Sequence, residues 1–281
     1  MVTTPARLPL TGVPVAAVGR RSAAFAAWAT AYVRGQVPLQ QAVAEISHDD
    51  EPHVVDAPDL VLPGPGLADL LSDLRTRRID GVRLVLPVPG DPRGLPGPGP
   101  FSDAALTTGE AVRVQGGTGD GAYGLVPVIA GHGNDIDGRA VTVRWRVYGC
   151  EPAVADPPGT GRQSEHDLTD ALREATSALA ALDVARLDPE QVDALRALRT
   201  AGSAMSLPPG HQGAGLWIQA ERIAAIVDLA ATDDGAAYDR VGASGRRAVL
   251  RELAAAVRRA KTSAINAPLD VPTGAPAVSP G

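Results

Sequence analysis

Strand-like alternation of apolar and polar residues ends for good before residue 155 of this 281-residue chain, and that change restricts the fold more than any other feature. Before residue 155, short runs alternate between apolar and polar residues; after residue 163, every periodic stretch has helical spacing. The clearest alternation is VTVRWRVY at 141–148, with Val141, Val143, Trp145 and Val147 on one side and Thr142, Arg144, Arg146 and Tyr148 on the other. Successive side chains of a strand point to opposite faces, so this run predicts one core face and one wet face. Ala111 to Gln115 and Tyr123 to Ala130 read as two more strands, and the glycine-rich spacers GGTGDG (116–121) and GHGNDIDG (131–138) make the set an antiparallel meander over 111–148. Pro127 must sit at a bulge or where its missing donor faces no neighbour. A further strand is expected over 82–88, where Leu84-Val85-Leu86 has no polar side and suits cover on both faces.

Helical spacing surrounds these strands. Phe25, Trp28 and Tyr32 predict a helix from Arg20 to Gly35, Leu39 to Ile46 a second, and the stripe Leu67, Leu70, Leu71, Leu74 a third. Phe101 to Gly109 reads as a short fourth. Residues 87–100, PVPGDPRGLPGPGP, hold six prolines and four glycines and can form neither helix nor inner strand, so they are a surface loop. ADPPGTGRQ at 155–163 is the boundary between the halves. Beyond it, Leu168, Leu172, Ala175, Leu179 and Leu182 form a seam that packs within the chain or across a homodimer. Asp188-Pro189-Glu190-Gln191 opens a second helix, and two more are expected at about 216–231 and 244–264. The expected fold is therefore α+β: a small antiparallel sheet with N-terminal helices over 15–154, a linker at 155–163, and a four-helix region over 164–265. The proline-bearing ends 1–14 and 266–281 read as disordered tails.

Composition removes several function classes. A formal charge of −6 argues against a surface that grips nucleic acid throughout. Cys150 is the single cysteine, which excludes an internal disulfide and fits a reducing cytoplasm. No apolar run reaches the roughly 18 residues of a membrane span.

Three constellations carry chemistry. His132, Asp135 and Asp137, with Asn134, share one loop, where they either serve turn geometry or supply acid, base or cation ligands; an EF-hand register fails. Arg144 and Arg146 leave one strand face with Tyr148 beside them and either clamp a carboxylate or phosphate or pair with neighbouring acids. Arg247, Arg251, Arg258 and Lys261, the last being the only lysine, form a basic arc on the final helix; it reads as a solvent face, or as a weaker candidate for nucleic-acid contact. GGTGDG lacks the Gly-Lys-Ser/Thr ending of a phosphate loop, and Ser203 and Ser206 near His211 are adjacent only in sequence. No cofactor or metal site is implied.

The segments LVLPVPGDPRGLPGPGPF (84–101), GLVPVI (124–129) and VTVRWRVY (141–148) resemble those of an uncharacterised conserved family of GC-rich bacteria, a likeness that spans the middle quarter of the chain and implies no activity. The expected function is a non-catalytic binding or regulatory protein with a protein partner or small ligand. The alternative is an enzyme on an anionic small molecule, with Arg144 and Arg146 binding the anion and a residue of the 131–138 loop acting as base.

Overall fold

The computed structural model describes residues 15–47, 52–57, 64–116, 122–131, 141–151, 161–181, 205–232 and 240–270. Its strands are β1 (His53–Asp56), β2 (Ile79–Val85), β3 (Ala111–Gly116), β4 (Ala122–Gly131) and β5 (Val141–Cys150), in the sheet order β1-β5-β4-β3-β2. The expected meander is present as β3, β4 and β5, and β2 adds to it antiparallel. Two details differ from expectation. β2 starts at Ile79 rather than Val82 and ends at Val85, just before the proline-rich loop. A short strand, β1, also joins β5 in parallel, pairing His53 with Val143 and Asp56 with Arg146. Pro127 faces Trp145 of β5 on one side, whereas β3 pairs with β4 only at Leu125 and Gly124, so its missing donor breaks no described pairing.

Helices α1 (Arg20–Val33) and α2 (Leu39–Ile46) precede β1, and α3 (Leu67–Thr76) lies between β1 and β2. Every α1 residue from Ser22 to Tyr32 is buried, because its alanines let the helix lie close to the sheet while Phe25 and Trp28 fill the space between. Phe25 meets Trp145 with ring centroids 4.6 Å apart, a favourable tilted pairing. Leu67, Leu70, Leu71 and Leu74 of α3 are all buried, as their spacing requires. On this side the sheet contributes Val82, Leu84, Val112, Val114, Leu125, Val143 and Val147.

The other sheet face is covered only in part. α4 (Pro100–Thr108) sets Phe101 and Ala105 against Val85, Ala111 and Val126. The proline-rich loop leading into it is ordered: Val88 and Asp91 exchange backbone hydrogen bonds of 3.1 and 2.8 Å, and Asp91 grips Arg93 through two bonds of 2.6 Å.

Among the described residues the C-terminal half has three helices, α5 (Gly161–Ala181), α6 (Ala214–Thr232) and α7 (Arg240–Asn266); the helix expected to open at Asp188 lies outside them. Leu168 and Ala175 of α5 are buried, and α5 and α6 both pack along α7. Leu172 packs against the same core, so the seam from Leu168 to Ala175 is filled within the chain. Residues expected to begin a tail at 266 are structured as far as Asp270, through a 3-10 turn at Ala267–Leu269. α7 also reaches β2 and α1, and one hydrophobic cluster holds Trp28, Trp145 and Trp217 together.

Candidate functional site

Alternation along β5 places Arg144 and Arg146 on the partly covered face, beyond the reach of α4. Their strand neighbours are Val54 and Asp56 of β1 and Val128 and Val126 of β4. Asp56 Oδ2 lies 4.0 Å from Arg144 Nη1 and 3.6 Å from Arg146 Nε, too far for good hydrogen bonds, and the two arginine side chains are 47% and 52% exposed. Exposed pairs of this kind contribute about 0–1 kcal/mol, so Asp56 orients both guanidiniums without neutralising both. Tyr148 packs against the Phe101 and Val126 cluster and marks where the cover begins. Cys150 lies in the same cluster, and burial pushes its thiol pKa up against the opposing charge of Arg113. His132, Asp135 and Asp137 lie outside the described residues, as does the rest of the 132–140 loop.

The covered half of this face carries two arginines that the sequence did not single out. Arg113 is buried and donates to the Gly94 carbonyl at 2.7 Å, tying the proline-rich loop to the sheet. Its cross-strand neighbour Arg83 reaches Asp270 at 2.6 Å. These two serve the fold, whereas Arg144 and Arg146 face outward.

The basic arc of α7 is a solvent face at Arg247 and Arg251 but not at Lys261. Arg247 and Arg251 are exposed and Arg258 is half-buried, but Lys261 is 1% exposed. Lys261 belongs to the buried flank because α6 and the segment before α1 close over it. Its Nζ lies 2.7 Å from Glu221 Oε1 and 5.4 Å from the Trp217 ring centroid, while Arg20 binds the other oxygen of Glu221 at 2.9 Å. Burial pulls the Lys261 pKa down, and Glu221 opposes that shift.

Ser206 donates to Glu45, and its carbonyl accepts the Trp28 indole N–H at 3.2 Å, so this residue anchors the C-terminal half to α1 and α2. His211 Nδ1 accepts the Gly213 amide at 3.2 Å at the entry to α6, and burial lowers its pKa. Ser206 and His211 therefore act as anchors. No group of three His, Cys, Asp or Glu side chains among the described residues is placed to hold a metal ion. Nor is any helix among them long and apolar enough to cross a membrane.

A family model described as Rv1486c-like protein, N-terminal domain, matches residues 22–158, and one described as Rv1486c-like protein, C-terminal domain, matches residues 162–262. Similar proteins include the uncharacterized protein Rv1486c of Mycobacterium tuberculosis, 29% identical over 276 residues that cover 88% of this chain and 96% of the relative. The uncharacterized protein MAV321 of Mycobacterium avium is 33% identical over 170 residues, 53% of this chain and 55% of the relative. No solved structure matches the chain.

Proposed function

This chain belongs to the Rv1486c-like family, which is found in mycobacteria, and we propose that it is a non-catalytic binding protein whose open sheet face takes an anionic group of its partner. One observation carries the reading: two guanidiniums held on a rigid strand, about half exposed, share a single carboxylate at 3.6 and 4.0 Å. Arginine presents a planar fork of donors that fits a carboxylate or phosphate, and a fixed strand reduces the entropy lost on binding. The protein is read as cytoplasmic, with its halves divided at 155–163.

The test is a thermal-shift screen of the whole chain against carboxylates, phosphorylated sugars and nucleotides. A ligand at about 100 times its dissociation constant adds roughly 2.7 kcal/mol, which should raise the melting point by several degrees. The shift is expected to disappear in the Arg144→Ala/Arg146→Ala chain. A shift that persists in that double variant removes the arginines from the site. Turnover of the bound compound, lost on His132→Ala, would replace this reading with the enzymatic one.

A further inference from the structure

Residues 15–18 are held as a ligand would be held. Asp228 of α6 accepts the amides of Val15 and Ala16 at 2.5 and 2.8 Å. Lys261 of α7 gives its ammonium protons to the carbonyls of Val15 and Ala16 at 3.2 Å and approaches that of Val18 at 3.5 Å, with Glu221 completing its shell. Recognition is by main chain: within the segment no side chain is fully buried, and Ala17 is exposed.

The helix that follows has an anchor of its own in Glu110, which accepts the Ser22 amide at 3.1 Å, while Arg20 shares Glu221 with Lys261. Between the two sets of contacts stands Gly19, in the left-handed region at φ 80°. The segment can therefore leave without unwinding α1, with a glycine as the hinge.

We propose that residues 15–18 are a strap that opens while the remainder of the chain stays folded, uncovering the Lys261–Glu221 pair beside Trp217. The opposing effects favour such local opening. Closing the strap forms several charge-assisted hydrogen bonds, but it also removes an ammonium and a carboxylate from water, and that desolvation offsets much of the gain. Opening rehydrates both groups, and the apolar surface it exposes centres on Val15 and Ala16, which rest half-buried on the edge of the core. Segments of this kind exchange with free energies well below that of global unfolding. The open state presents two carboxylate oxygens on Asp228 as acceptors for main-chain amides and the Lys261 ammonium as donor to main-chain carbonyls, suited to a peptide that takes the turn now formed by residues 15–19.

A single lysine makes the strap directly readable. The full chain is acylated with an N-hydroxysuccinimide ester at alkaline pH across low urea concentrations, and modification of Lys261 is followed by peptide mass spectrometry. The expected rate is nearly independent of urea, because local opening exposes little surface, and it rises about tenfold or more in Asp228→Asn, the loss expected for a hydrogen bond to a charged group. A rate that climbs with urea as global unfolding does, or no labelling of the folded chain, overturns the proposal. Hydrogen exchange on the unaltered chain decides the matter independently of any variant. The Val15 and Ala16 amides should exchange at least about tenfold faster than that of Ser22, and equal rates would show that strap and helix open together.

Discussion

Glu110 illustrates how one buried carboxyl sets the sign of a pH effect. Its side chain caps the first turn of α1, where the helix dipole favours a negative charge, yet burial raises its pKa by more than the Ser22 bonds and the charges of Arg21 and Lys261 lower it. An acid with a raised folded pKa binds more protons folded than unfolded, so its stabilising contribution is present at low pH and is lost as pH rises from the ordinary value of 4.5 through the raised one. His211 acts oppositely: burial lowers its pKa, and stability is lost as pH falls from 6.5 through the lowered value. Glu110→Gln keeps an acceptor for the Ser22 amide and removes the first effect. The substitution is expected to stabilise the chain at pH 8, with a gain that shrinks toward pH 4.5, as read from urea midpoints across that range; a gain constant with pH would show that Glu110 does not titrate in this window. None of this was legible in the sequence, because Glu110 meets Ser22 from 88 positions away. Lys261 was misplaced for the same reason, since its burial depends on Glu221 and on residues 15–18. Arg144 and Arg146 were placed on their face because strand alternation is local.

At the scale of elements, β2 shows how an exposed sheet edge is closed without another strand. Thr30 Oγ1 of α1 accepts the Val82 amide at 2.9 Å and donates to the Val82 carbonyl at 3.3 Å. Asn266 at the end of α7 does the same for Leu84, accepting its amide at 2.8 Å and donating to its carbonyl at 3.1 Å. Two side chains thereby stand in for peptide groups, satisfying an edge that would otherwise be left unpaired in the interior or offered to another chain. Thr30→Val preserves shape but removes the hydroxyl, and should cost about 1–2 kcal/mol; Asn266→Ala strands both Leu84 groups and should cost about 2–3 kcal/mol, each measured by urea unfolding. Equal, negligible losses would mean that water takes over the edge. Most elements here were legible because their patterns are long enough to repeat: the leucine stripe of α3 and the alternation of β5 each span several periods. β1 was not, since HVVD completes only two alternations and is a strand by virtue of β5 beside it. β2 was read late because its start, at a register shift between Ile79 and Gly81, breaks the pattern that would announce it.

Over the whole molecule, two family segments share one interior. The N-terminal match ends at residue 158 and the C-terminal match begins at 162, yet the apolar cluster runs unbroken from Trp28 and Trp145 through α7 to Trp217. Close approach reinforces the joint between α6 and α7: a Cβ on Gly213 would stand 1.9 Å from the Ala264 carbonyl oxygen, so only glycine lets α6 begin there. Ser206, Arg34 and Asn266 add polar ties across the same boundary, Arg34 reaching the Pro268 carbonyl at 2.9 Å. Neither half could expose its side of this contact without uncovering large apolar area, so the halves are expected to unfold as one cooperative unit despite their separate family descriptions. The tryptophans provide the measurement. A Trp217→Phe chain fluoresces from the N-terminal half through Trp28 and Trp145, and a Trp28→Phe/Trp145→Phe chain from the C-terminal half through Trp217. In each chain the fluorescence midpoint in urea should coincide with that of the helical circular dichroism signal, whatever stability the substitutions remove. A fluorescence transition that precedes the loss of helix in one chain and follows it in the other would divide the molecule into two units, and the shared core would then be an interface rather than an interior.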